Sequence, residues 1–236
     1  MSVSFDQISS LFSGRFFPEP GLIQKRLPNI RAFIFDWDGV FNDGTKDLSG
    51  ASSFSEVDAM GTNLLRFNHF LINRHNLLTA IISGEKNPIA FAFAKREHFN
   101  GVYYKIRHKA EALKHFCKSN DIKPEEVAFV FDDVLDFSVA KICSLRFMIG
   151  RKASPLLTDF AITNNLVDYI TCHSGGAHAV REITELVMAL GGRFDEAIHH
   201  RMEFSADYEN YWQIRNDIEP AFYTMEDMTQ IQQISI

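Results

Sequence analysis

Two hydrophobic periods alternate along the chain. Short, nearly unbroken apolar runs occur at Arg31–Asp36 (RAFIFD), Leu78–Ser83 (LTAIIS), Val127–Asp132 (VAFVFD), Leu145–Ile149 (LRFMI) and Tyr169–Thr171. Runs of that length with few polar positions predict strands buried on both faces. Between them apolar residues recur at helical spacing over Gly61–Arg74, Pro88–His98, His108–Asn120, Asp133–Cys143 and Ala177–Leu190. Strands alternating with amphipathic helices predict a three-layer α/β fold around a parallel sheet. Chemistry in such sheets gathers beyond the carboxyl ends of the strands. Here three of those ends carry Asp36, Ser83 and Asp132.

The two ends of the chain read differently. Residues 1–29 are polar and broken by Pro18, Pro20, Gly21 and Pro28, which predicts a short helix and an extended arm. Residues 30–191 hold the repeating pattern and form the expected catalytic domain. In 192–236 a helix is expected over Arg193–Phe204, and Ala206–Ile236 reads as irregular. Tyr208, Tyr211, Trp212, Phe222 and Tyr223 stand there among acidic residues, so this tail is expected to pack, on its own domain or at subunit contacts. Between Asp38 and Ser83, the residues Asn42 to Glu56 fit a small flap hairpin around Leu48-Ser49-Gly50. Neither this gap nor the one from Ser83 to Lys109 has room for a folded cap domain.

Composition narrows the function classes. Of 236 residues, 46% are hydrophobic and 23% charged, which excludes a disordered or low-complexity chain. A formal net charge of -6 without a long basic run argues against nucleic acid as partner. Cys117, Cys143 and Cys172 are scattered and odd in number, outside any disulfide or zinc spacing, and fit a reducing compartment. No run approaches the roughly 20 apolar residues of a spanning helix. A cytoplasmic protein without membrane contact is the expectation.

Four signals carry chemistry. Asp36-Trp37-Asp38-Gly39-Val40 closes the first buried strand with carboxylates two residues apart, so both can face one pocket. One can attack phosphorus while the other moves a proton, provided a cation offsets their repulsion. In isolation Asp38-Gly39 is also an ordinary turn. Ser83-Gly84 offers a hydroxyl and free N–H groups to phosphate oxygens, and is equally a common turn pair. Lys109 can neutralise phosphate and nucleophile together; beside Lys105, Arg107 and His108 it can also be part of a solvated basic helix start. Asp132-Asp133 with Asp136 suits Mg²⁺, a hard ion that takes oxygen ligands, or else caps a helix.

In combination and in this order, the signals resemble the haloacid dehalogenase superfamily of phosphotransferases, over about Arg31 to Leu190. The resemblance implies a Rossmann-like domain with Asp36 as nucleophile, Asp38 as acid/base and Ser83, Gly84 and Lys109 on the phosphate. It implies Mg²⁺ on Asp36, Asp38 (through its backbone carbonyl) and Asp132, with Asp133 and Asp136 supporting. FDWDGVFNDG, Lys109-Ala-Glu-Ala-Leu and Gly175-Gly-Ala-His-Ala-Val-Arg-Glu look like the capless 3-deoxy-D-manno-octulosonate 8-phosphate phosphatase branch. That branch implies a homotetramer and a small phosphorylated sugar or sugar acid as substrate, with Asp58 and Arg181 as further substrate candidates. The chain departs from it at Ser55-Glu56-Val57-Asp58-Ala59, at Glu85 after Ser83-Gly84, at Phe131 and at His178, and loses two arginines. The resulting expectation is a phosphomonoesterase working through an aspartyl-phosphate. The alternatives are a catalytically weak binding or assembly module and a phosphotransferase.

Overall fold

The computed structural model describes Gln7, residues 10–225 and residues 230–235. Strand β2 (Ala32–Phe35) is buried at every position and runs parallel between β3 (Leu78–Ile82) and β5 (Val127–Phe131). Its alternate residues feed two cores. Phe33 and Phe35 join Leu64, Phe93, Ile183 and Leu186 from α2 (Glu56–Asn73), α3 (Pro88–Glu97) and α7 (Ala179–Gly191). Ala32 and Ile34 join Leu113, Val139 and Ala161 from α4 (Lys109–Ser119), α5 (Phe137–Ala140) and α6 (Pro155–Thr163). Burial on both faces explains why these strands read as continuous apolar runs rather than alternating ones.

With β4 (Gly101–Tyr104), β6 (Leu145–Met148) and β7 (Tyr169–Ile170), the parallel order is β7-β6-β5-β2-β3-β4. The chain builds outward from β2 first one way and then the other. The carboxyl ends of β2 and its two neighbours therefore meet at the point where the winding reverses, the usual place for a ligand crevice.

Both ends of the chain extend this sheet to nine strands among the described residues. In the N-terminal arm, β1 (Arg15–Phe16) pairs antiparallel with β7, ahead of the short helix α1 (Pro20–Arg26). The tail expected to be irregular carries a helix and two strands among the described residues. After α8 (Phe194–Met202), Ser205 accepts from the Tyr208 N–H and starts α9 (Ala206–Asn216), which lays Tyr208 and Tyr211 on Phe67. Strand β8 (Ala221–Met225) then joins β4 in parallel, with β9 (Ile231–Ile234) antiparallel beyond it. Tyr223 stacks on Tyr103 at 4.6 Å and Phe222 packs on Phe91. The tail's aromatic residues are thus seated largely on this chain's own helices and sheet.

The expected flap hairpin differs too. Residues 42–55 contain no strand. The Asp47 carboxylate takes the N–H groups of Ser49 and Ala51 at 2.8 and 3.0 Å, donors that a hairpin would pair across strands. The Asp47 N–H donates to the Ala51 carbonyl at 3.0 Å and closes the loop's tip. No larger insertion covers this end of the sheet among the described residues, since α3 alone separates β3 from β4.

Candidate active site

The Asp36 N–H donates to the Val130 carbonyl at 2.9 Å, continuing the β2–β5 ladder one residue past β2 and fixing the first carboxylate. Trp37 turns inward, fully buried and stacked on Phe41 at 4.9 Å. Alternation then puts Asp36 and Asp38 in the same crevice. Gly39 bends the chain away at φ +84°, where a Cβ would sit 2.0 Å from Asp132 Oδ2. The Asn42 side-chain oxygen Oδ1 accepts from the N–H groups of Gly39 and Gly44 at 3.2 and 2.9 Å and holds the turn.

Carboxylate oxygens of Asp36, Asp132 and Asp136 lie within 4.8 Å of one another, all three buried. Lys109, itself buried at the start of α4, spans two of them: its Nζ is 2.7 Å from Asp36 Oδ1 and 2.6 Å from Asp136 Oδ1. Burial works to lower the Lys109 pKa, but Asp36 and Asp136 outweigh it and hold the ammonium well above its usual range. Burial, reinforced by Asp36 and Asp136, pushes Asp132 up to about 8 although Arg151 pulls the other way. Burial and Asp36 push Asp136 up to about 7. Oxygen-only donors crowded into mutual repulsion fit a hard divalent cation such as Mg²⁺, whose charge relieves the crowding.

Asp38 is held apart from this triad. Its Oδ1 accepts from the Ser52 hydroxyl at 2.6 Å and its Oδ2 pairs with Lys46 Nζ at 2.8 Å. Ser52 in turn accepts from Trp37 Nε1 at 3.1 Å and from Asn87 Nδ2 at 2.5 Å. A separately held carboxylate beside a buried, cation-bridged one suits a division between proton transfer and nucleophilic attack.

Asp36, Asp38, Ser83, Gly84, Lys109, Asp132, Asp133 and Asp136 all line one cavity of about 310 Å³. Within it Asp132 joins the triad, whereas Asp133 Oδ1 accepts from the Val134 N–H at 2.6 Å and caps the turn that follows. Asp136, expected in a supporting place, stands in the triad itself. Asp58 and Arg181 lie outside that lining. Asp58 accepts the Arg181 N–H at 2.8 Å at the start of α7, and the Arg181 side chain pairs with Glu185 at 2.6 Å. Lys46, Ser52, Asn87 and Arg151 are participants the sequence reading missed. Asn87 alone carried a local signal, as the N-cap before Pro88.

No protein-family model matches the chain. It is 30% identical over 173 residues to the 3-deoxy-D-manno-octulosonate 8-phosphate phosphatase of Escherichia coli strain K12, spanning 72% of this chain and 85% of that one. The solved 3-deoxy-D-manno-octulosonate 8-phosphate phosphatase of Yersinia pestis superposes with a TM-score of 0.61 at 25% identity, over 74% of this chain and 89% of that one. That of Moraxella catarrhalis, solved with a magnesium ion, a phosphate ion and KDO, shares the fold at a TM-score of 0.62 and 24% identity, over 76% and 97% of the two chains.

Proposed function

The chain belongs to the haloacid dehalogenase superfamily, in the 3-deoxy-D-manno-octulosonate 8-phosphate phosphatase branch, and on that premise we propose a Mg²⁺-dependent phosphomonoesterase that works through an aspartyl-phosphate. The observation that carries the mechanism is the pairing of Lys109 with Asp36 at 2.7 Å inside a buried acidic triad. Lys109 holds one oxygen of Asp36, and the other makes no hydrogen bond among the described residues.

That second oxygen attacks phosphorus in line, forming the Asp36 acyl phosphate as the bond to the leaving oxygen breaks. Asp38 acts as general acid and gives a proton to the departing alkoxide. It then removes a proton from water, which attacks the aspartyl-phosphate, releases inorganic phosphate and restores the Asp36 carboxylate. Ser83, the Gly84 N–H and Lys109 hold the phosphoryl oxygens and stabilise the charge that builds on them. Asp36, Asp132 and Asp136, with the Asp38 carbonyl, would hold Mg²⁺, which supplies the positive charge that lets a phosphate approach clustered carboxylates.

The substrate class follows the relatives: a small phosphorylated sugar or sugar acid, with 3-deoxy-D-manno-octulosonate 8-phosphate as the first candidate. A homotetramer in the cytoplasm belongs to the same reading. In support, the flap tip presents a wholly exposed Leu48, and Cys117 and Cys143 are buried free thiols. Hydrolysis of an aryl phosphate with Mg²⁺, abolished in Asp36→Asn, tests the reaction. Transfer of the phosphoryl group to an acceptor alcohol in place of water would move the assignment to a phosphotransferase.

A further inference from the structure

Arg151 faces two cavities. In the catalytic one its Nη2 lies 2.6 Å from Asp132 Oδ2. It also lines a neighbouring bay of about 700 Å³ between α6 and the end of β7. The charged lining of that bay is Arg15, Arg151 and Lys152 against Asp159 alone. Arg15 lies over the ring of Phe17 at 5.5 Å, and among the described residues neither Arg15 nor Lys152 makes an ion pair. The threonine hydroxyls of the bay are already engaged, Thr171 with the Gly150 N–H and the His173 carbonyl, Thr158 with the Ser154 carbonyl. What the bay offers a ligand is positive charge.

The catalytic cavity has the opposite balance. Its cations are committed, Lys109 to Asp36 and Asp136, Lys46 to Asp38 and Arg151 to Asp132. Glu85 adds a further negative charge to its lining. An anionic group carried on the alcohol of a phosphate ester is repelled by Glu85 and drawn toward the α6 side, where unpaired cations begin directly behind Arg151. Guanidinium and ammonium groups that line one bay suit the oxygens of a carboxylate or a phosphate.

We propose that the bay formed by Arg15, Arg151 and Lys152 is a second anion site, which takes a carboxylate or phosphate borne by the leaving alcohol. The inference rests on the phosphomonoesterase reading for what occupies the neighbouring cavity.

Calorimetric binding in Mg²⁺ buffer tests it with a plain alkylphosphonate and its ω-carboxylate and ω-phosphonate analogues of increasing chain length. The wild type is expected to bind at least one analogue roughly tenfold or more tighter than the plain compound, the scale of a charge-assisted hydrogen bond. Arg15→Ala/Lys152→Ala is expected to lose that advantage at unchanged affinity for the plain alkylphosphonate, which also reports an intact fold. The analogue that gains more identifies carboxylate or phosphate as the preferred group. Equal affinity for all three probes, no binding of any, or an advantage that survives the double substitution overturns the site. None of these readings needs turnover. A protein that shows the preference yet hydrolyses no phosphate ester keeps the bay and loses the phosphatase reading, and active enzyme without the preference loses only the bay.

Discussion

The Ser52 hydroxyl donates to Asp38 Oδ1 at 2.6 Å and so ties the flap to the proposed acid/base. Ser52 is buried, and its own partners Trp37 and Asn87 reach it from the end of β2 and the cap of α3. The flap thus acts on the chemistry through orientation. Ser52→Ala is expected to lower kcat by about ten- to hundredfold with KM little changed. The loss should be larger for alkyl than for aryl phosphates, because a poor leaving group depends most on the positioned proton. An equal loss on both would remove Ser52 from proton transfer.

At Gly39 both backbone and space exclude a side chain: φ is +84°, and a Cβ would stand only 2.0 Å from Asp132 Oδ2. Gly39→Ala is expected to cost about 1–3 kcal/mol of stability and to displace Asp132 from the triad. Denaturant unfolding reads the first effect and Mg²⁺ titration the second. A variant with wild-type stability and metal affinity would show that the turn is not constrained.

Metal binding is expected to show in stability as well as in rate. Any ion bound to the folded state alone raises the melting temperature with its concentration. Mg²⁺ should therefore raise Tm in the wild type, chelator should reverse the rise and abolish turnover, and Asp132→Asn should blunt both responses. An unshifted Tm in the wild type at saturating Mg²⁺ would contradict the proposed site.

Asp58 makes a separate prediction about pH. Burial raises its pKa to about 6, and its Oδ2 has no hydrogen-bond partner. A carboxyl whose pKa is higher folded than unfolded favours folding when protonated, and that contribution is lost as pH rises through the folded value. Wild type should thus lose up to about 3 kcal/mol relative to Asp58→Asn as pH rises from about 4 through about 6, with no further loss above that. Asparagine keeps the oxygen that accepts the Arg181 N–H, so the comparison isolates the charge. Parallel stability curves for the two proteins would refute a raised Asp58.

The central strands and the residues at their ends were legible in the sequence because burial on both faces leaves an apolar run that stops abruptly at a carboxylate or serine. Asp36, Ser83 and Asp132 are adjacent in space for the same reason: β2, β3 and β5 are neighbours. Strand β1 spans only Arg15–Phe16, too short for a period. Strand β8 takes its place from its fit beside β4, through Tyr223 on Tyr103, which is a tertiary contact without a local mark. Lys46, Ser52 and Arg151 reach the site only because the flap and the loop after β6 fold back over the strand ends. Asp58 and Arg181 matched a motif, but their contacts lie within the packing of α2 against α7.

The proposed mechanism turns on phosphorylation of Asp36. Acid quench during turnover, borohydride reduction of the acyl phosphate and peptide mass spectrometry read it directly. Homoserine is expected at position 36 in wild type supplied with a phosphate ester and Mg²⁺, and none in Asp36→Asn. Turnover with the modification on another residue, or with full activity retained in Asp36→Asn, would contradict it.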